Sequence, residues 1–236
     1  MLKIQKLNKT YQKHPVLKNI DLELNNNNVI ALLGPNGSGK TTLIKTLLGL
    51  VIPDHNSELF LYDKRIEYNL PKYLNVGYVP QTPHFPNNLK VKDLIDYLKS
   101  FEKSFPENLE QFIEDLNITD FLHKKIVELS GGMKQKINLL QCFMKKRDIY
   151  ILDEPTASLD PYHSVYLKKL IKTLKPNSLI IFTTHILNEV EELADEMYIL
   201  IDGEIRIKEN PKNFILSKNA LNLEEALSNI KEYIKI

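Results

Sequence analysis

The spacing of apolar residues changes period twice along this chain. Ile20, Leu22 and Leu24 alternate with Asp21 and Glu23, which predicts a strand with one buried face. "VIALLG" at 29–34 is a continuous apolar run ending in glycine, as a strand buried on both faces requires. Between them, "NNNN" at 25–28 reads as a polar turn closing a hairpin. From about 84 to 145 the period becomes helical. Val91, Leu94, Ile95, Leu98 and Phe101 form one stripe, and Leu109, Phe112, Ile113 and Leu116 a second. The strand signal then returns in "IYILD" (149–153), "SLIIFTT" (178–184) and "EMYILI" (196–201), with helical stretches between. Strands alternating with helices predict a mostly parallel sheet covered on both sides, here interrupted by a helical insert. The tail predicts a capped helix, with Asn222 as N-cap, Glu225 three residues on, then Leu223, Ala226, Leu227, Ile230 and Ile234 on one face. No repeat of 20–50 residues is visible.

Composition narrows this picture only slightly. The 236 residues suffice for one large domain, or a core with a subdomain, and the 43% hydrophobic content suits a folded core. The net charge of +1 gives no broad basic field, so no nucleic-acid partner is expected. Lysine clusters such as Lys145–Lys146–Arg147 read as solvated faces. The single cysteine, Cys142, cannot form an internal disulfide and fits a reducing compartment. There is no apolar leader segment and no run approaching the ~18 residues of a membrane span. Any membrane role is therefore expected to pass through another chain.

The candidate chemistry lies at the strand ends. "GPNGSGKT" (34–41) fits G-x-x-x-x-G-K-[ST] between a buried strand and a helix carrying Leu43, Leu47 and Leu48. Its glycines allow backbone N–H groups to wrap a phosphate. Lys40 would neutralise β/γ-phosphate charge, and the Thr41 hydroxyl would ligate Mg²⁺. "IYILDEP" (149–155) ends an apolar strand in two carboxylates. Asp153 would hold Mg²⁺, and Glu154 would orient or deprotonate the attacking water. His185 follows a strand at the sheet edge where open α/β folds place ligands, and could meet the γ-phosphate or the water. Gln81, in "GYVPQTP", reads by itself as a turn residue, and Tyr11 could stack on a base. "LSGGMKQK" (129–136) places Ser130, Gly131 and Gly132 at the start of a helix, a second anion site by its free N–H groups and dipole.

Together these pieces closely resemble the ATP-binding subunits of ABC transporters, bacterial exporter-like in type. "LSGGM" is similar to that family's signature, while "GPNGSGKTT" and "IYILDE" resemble its Walker A and Walker B motifs. "SLD" (158–160) resembles its D-loop, Gln81 its Q-loop, His185 its switch histidine and Tyr11 its A-loop aromatic, over roughly residues 2–210. The resemblance implies an α/β P-loop NTPase fold: a mostly parallel RecA-like sheet, an N-terminal antiparallel β subdomain and an α-helical insert subdomain at about 84–145. Residues 1–210 would be the ATPase domain and 211–236 a short helical tail, without the C-terminal β domain of sugar-importer subunits. The implied ligands are ATP and Mg²⁺. Tyr11 would stack on adenine. Gly34, Pro35, Asn36, Gly37, Ser38, Gly39, Lys40, Thr41 and Thr42 would cradle the phosphates. Thr41, Gln81 and Asp153 would hold the metal, with Gln81 also linking the site to the transporter. Glu154, Gln81 and His185 would serve hydrolysis. Ser130, Gly131, Gly132 and Asp160 would act across a dimer, either a homodimer or a heterodimer with a similar ATPase. The expected partner is a separate transmembrane permease, with the chain peripheral on the cytoplasmic face of the membrane. A mechanical ATPase of an envelope or cell-division complex is the alternative. Two residues depart from the family pattern: Met133 stands where the signature usually has Gln, and Lys90 where Thr is common.

Overall fold

The computed structural model describes residues 2–100 and 109–228. Two sheets account for the strand signals. The first is antiparallel and contains β1 (Leu2–Tyr11), β2 (His14–Leu24), β4 (Glu58–Leu61) and β5 (Lys64–Ile66), in the order β2-β1-β4-β5. The second contains β3 (Val29–Leu33), β6 (Val76–Val79), β7 (Ile149–Asp153), β8 (Leu179–Thr183), β9 (Glu196–Ile201) and β10 (Glu204–Glu209). Its order is β10-β9-β3-β8-β7-β6, parallel throughout except for the β10 edge.

The period of two within the apolar runs decides how the layers stack. In β3, Val29, Ala31 and Leu33 enter one hydrophobic cluster while Ile30 and Leu32 enter another. Tyr150 and Leu152 of β7 and Ile180 and Phe182 of β8 join the first cluster, and Ile149, Ile151, Leu179 and Ile181 the second. Each run is therefore continuous because both faces are covered. The second cluster is completed by the antiparallel sheet and by α1 (Lys40–Leu47).

The first cluster is completed by α2 (Val91–Ser100), α3 (Leu109–Asp115), α4 (Gly131–Phe143), α5 (Pro161–Leu174), α6 (Leu187–Leu193), α7 (Pro211–Ser217) and α8 (Leu223–Ser228). The insert helices thus share one core with the sheet. In α2 the buried residues are Val91, Leu94 and Ile95, and in α3 Leu109, Phe112 and Ile113, as their stripes predict. Phe101, Ile230 and Ile234 lie outside the described residues.

Residues 25–28 do not close a hairpin. β2 and β3 belong to different sheets, so this turn carries the chain from one layer to the next. The reason is tertiary. Asn28 donates through Nδ2 to Glu196 Oε1 at 2.8 Å, and its carbonyl accepts from Ile180 N–H, which ties the turn to the parallel sheet. In the tail, Asn222 caps α8 by accepting from Glu225 N–H at 2.8 Å. Leu223, Ala226 and Leu227 are buried against α6 and α7. No helix among the described residues is long and apolar enough to cross a membrane.

Candidate functional site

The C-terminal ends of β3, β8, β7 and β6 lie side by side, and each delivers one predicted segment to the same edge. The loop after β3 begins at Gly34, whose φ is 143°. A Cβ there would stand 2.1 Å from the Leu200 carbonyl oxygen, so only glycine allows the chain to leave the sheet at this angle. Gly39, at φ 110°, opens α1 against the Val16 carbonyl. Between them, Ser38 is buried, and its Oγ has no hydrogen-bond partner among the described residues. Lys40 donates to the carbonyls of Gly34 (2.6 Å) and Pro35 (3.0 Å), which holds its ammonium over the loop. Burial lowers the Lys40 pKa, against the opposing pull of Glu154 and Asp153.

Asp153 closes β7 in register with Thr183 of β8, whose hydroxyl donates to Asp153 Oδ1 at 2.6 Å. Burial raises the carboxyl pKa of Asp153. The Thr183 bond opposes this, Glu154 adds to it, and Lys40 and Lys45 oppose it. Glu154 is in the left-handed region, at φ 49°, unusual for a non-glycine residue. Its N–H is held by the Thr183 hydroxyl (2.9 Å) and the Thr183 carbonyl (3.2 Å). The turn points Glu154 Oε1 at His185 Nε2, 2.7 Å away. Thr183 therefore orders both carboxylates, one by donating and one by accepting. The sequence reading missed it, although a polar pair ending an apolar strand was the available signal.

A second support lies behind His185. Thr184 Oγ1 donates to Glu189 Oε2 at 2.7 Å and accepts from Ile186 N–H at 3.0 Å. Thr156 Oγ1 reaches the same buried Glu189 oxygen at 3.2 Å. The segments after β7 and β8 are pinned to each other through this carboxylate.

A cavity of about 350 Å³ gathers Tyr11, Asn36, Gly37, Gly39, Lys40, Thr41, Thr42, Gln81, Asp153 and Glu154, together with Val16. Tyr11 ends β1 at a two-residue turn, and Lys9 Nζ lies 5.0 Å from its ring centroid. Gly34, Pro35 and Ser38 form the loop beneath this cavity, and His185 reaches it through Glu154. The donor chemistry fits ATP with Mg²⁺. An orphaned buried hydroxyl and a glycine cradle suit phosphate oxygens, while the Thr41 hydroxyl, Asp153 carboxylate and Gln81 amide offer the oxygen ligands Mg²⁺ takes.

Ser130, Gly131, Gly132 and Asp160 do not line this cavity. Ser130 caps α4, accepting from Met133 N–H at 3.3 Å. Gly131 faces open space, whereas a Cβ on Gly132 would meet the Ser158 carbonyl at 2.8 Å. Met133 packs its side chain onto the core. Asp160 caps α5, accepting from His163 N–H at 3.0 Å and pairing with the His163 ring at 2.6 Å.

Comparison with known proteins agrees with this geometry. The family described as ABC transporter matches residues 17–157. The uncharacterized ABC transporter ATP-binding protein YxlF of Bacillus subtilis is 33% identical over 212 residues, 88% of this chain and 70% of that protein. The lantibiotic transport ATP-binding protein SrtF of Streptococcus pyogenes is 30% identical over 230 residues, 97% of this chain and 96% of that protein. Among solved structures, an ATP-binding subunit of an ABC transporter superposes with a TM-score of 0.84 at 24% identity, covering 96% of this chain and 97% of that one. A dimeric ATP-binding cassette in a post-hydrolysis state, bound to ADP and Pi, superposes with a TM-score of 0.75 at 22% identity, over 89% of this chain and 98% of that one. With sequence, fold and relatives in agreement, the chain belongs to the ABC transporter family, as one of its ATP-binding ATPase cassettes.

Proposed function

We propose that this cassette hydrolyses ATP as a dimer and drives a separate transmembrane permease, on which it sits peripherally at the cytoplasmic face. The carrying observation is the 2.7 Å contact between Glu154 Oε1 and His185 Nε2, beside the cavity that holds Lys40 and Asp153. In this reading Tyr11 stacks on adenine, and residues 34–42 wrap the phosphates with Lys40 exchanging its carbonyl partners for phosphate oxygens. Thr41, Asp153 and Gln81 hold Mg²⁺, which supplies charge neutralisation on the β/γ-phosphates. Glu154 accepts hydrogen bonds from the attacking water, and His185 holds that carboxylate at the angle the water needs. A loose phosphoryl-transfer transition state rewards such positioning more than covalent help. Ser130, Gly131, Gly132 and Asp160 act on the nucleotide of a second subunit, alike or similar. The exposure of Ser130, Gly131 and Asp160 away from the chain's own cavity supports this, as does the dimeric state of the solved cassette.

The permease contact falls on Gln81 and the insert that follows. A cleft of about 370 Å³, lined in part by Pro80, Thr82, His84, Phe85, Gln141 and Arg147, lies next to Gln81 and suits a short helix from a partner. The tail is the weaker site, because Leu223, Ala226 and Leu227 are already spent on this chain's core. Glu154→Gln tests the hydrolysis. It should still bind ATP, accumulate as a dimer and turn over about 10²–10⁴-fold more slowly, the loss expected for a positioned base. Near-wild-type turnover would overturn the reading.

A further inference from the structure

Two amides are buried in α4, and neither lines the nucleotide cavity, although Asn138 forms part of the wall of the cleft beside Gln81. Gln135 and Asn138 are 3% and 2% exposed. A polar side chain held there without partners would be strongly unfavourable, and both are hydrogen-bonded. Gln135 Nε2 donates to the Pro155 carbonyl at 2.8 Å. Asn138 Nδ2 donates to Gln135 Oε1 at 3.2 Å and to the Pro80 carbonyl at 3.1 Å. The orientation of each amide follows from its carbonyl partner, since a carbonyl can only accept.

The ends of this chain of bonds give it meaning. Pro155 directly follows Glu154, and Pro80 directly precedes Gln81. Its middle is the helix whose first turn begins at Ser130. Three segments from three separate parts of the sequence are thus linked by side-chain amides: the end of β6, the end of β7 and the start of α4. The backbone on either side is poorly able to absorb a shift. Proline fixes its own φ, and Glu154 is already confined to φ 49°. A rotation of α4 would move the Pro155 carbonyl, and with it the Glu154 turn, rather than being taken up by slack.

We propose that Gln135 and Asn138 are positioning residues that tie the Glu154 carboxylate and the Gln81 segment to the orientation of the helix begun by Ser130. In the dimer proposed above, on which this inference rests, Ser130 faces the other subunit's nucleotide. The relay then reports engagement of one ATP to the water-orienting group of the other site.

The test is steady-state ATP hydrolysis by the full chain carrying Gln135→Met, Asn138→Leu or both, with Asn138→Ala as a smaller replacement should leucine overpack. Urea denaturation checks that each is folded. Loss of fine alignment remote from the chemistry lowers turnover by about 10–100-fold, so each single variant should lose that much kcat. KM for ATP should stay within about threefold, because the cavity contacts are intact. The double variant should be no worse than the worse single, since one broken link opens the relay. A folded single variant with wild-type kcat, a change confined to KM, or losses that multiply in the double variant would each overturn the proposal. Wild-type chain and Glu154→Gln run alongside. Absent wild-type turnover, or undiminished turnover in Glu154→Gln, is a failure of the hydrolysis reading; normal controls beside unimpaired relay variants is a failure of this one.

Discussion

Asp153, which lines the candidate site, shows how one carboxylate can work against its own fold. Its carboxylate is buried at the end of β7, and its pKa is raised, chiefly by burial. The sign follows directly. A folded-state pKa above the unfolded value means that the ionised form destabilises the folded chain at neutral pH, and that acidification through the raised pKa relieves this. Asp153→Asn should therefore melt higher than wild type at pH 7 without nucleotide or metal, since the amide Oδ1 can still accept from Thr183. A gain of ~1 kcal/mol would raise Tm by ~2–4 °C in a domain of this size. The margin should shrink as pH falls and vanish below 3.8, the ordinary carboxyl value. Calorimetry from pH 7 downward measures it; an equal or lower Tm at pH 7 would refute the argument. Lys40, Thr41, Asp153 and Glu154 could be named from the sequence as candidates, because phosphate chemistry uses those types at fixed spacing, and the structure gathers all four around one cavity. Thr183, Gln135 and Asn138 were not, because a threonine or an amide has no chemistry of its own until the fold supplies its partners.

At the level of elements, local signals varied in strength. α5 begins at an Asp-Pro pair, with Asp160 as N-cap and Pro161 in the first turn. Hydrogen bonds from the His163 backbone, then its ring, hold the Asp160 carboxyl below its usual pKa. Such a depressed group stabilises the fold fully above its unfolded value of 3.8, and the contribution is lost as pH falls through the folded pKa. Asp160→Ala should cost about 1 kcal/mol in urea denaturation at pH 7, the usual loss for a removed cap. Asp160→Asn should keep most of the cap, and its difference from wild type should disappear at acid pH. An Asp160→Ala chain as stable as wild type would remove the cap from the account. The same Asn/Asp-Pro logic marks α7, where Asn210 accepts from Lys212 and Asn213 N–H ahead of Pro211; the periodicity reading passed over it because the helix has only 7 residues. The β9–β10 hairpin was likewise signalled by Asp202-Gly203, both at positive φ. The β4–β5 hairpin was not, because its turn uses Tyr62 and Asp63, at φ 48° and 62°, rather than glycine.

For the whole molecule, the proposed function has to explain why one cassette carries two candidate phosphate sites, with Ser130, Gly131 and Gly132 outside the cavity that holds Lys40. If two chains pack head to tail about a two-fold axis, each ATP lies between Lys40 of one and Ser130 of the other. Lys40→Ala and Ser130→Arg should each be inactive alone, since every site contains one damaged half. Mixed, they form dimers with one doubly damaged and one intact site, so mixing should restore part of the ATPase activity, or ATP-dependent association if turnover needs both sites. A chain carrying both changes, mixed with either single variant, should restore nothing. Folded mutants that show neither activity nor association when mixed would end the trans-site reading.

The sequence by itself determined which segments could bind phosphate and which strands had to be buried on both faces. Those are local facts, carried by glycine spacing, by residue type and by the period of apolar positions. Only the tertiary structure decided that 25–28 passes between two sheets instead of closing a hairpin, and that Leu223, Ala226 and Leu227 are spent on the core. It also decided that Glu154 is held by His185 and Thr183 while α4 is bonded to the segments around it. Each of these depends on which strand end lies beside which. That order, β3-β8-β7-β6, is set by packing between strands about 30 (β7 and β8), 73 (β6 and β7) and 151 (β3 and β8) residues apart, and no local pattern encodes it.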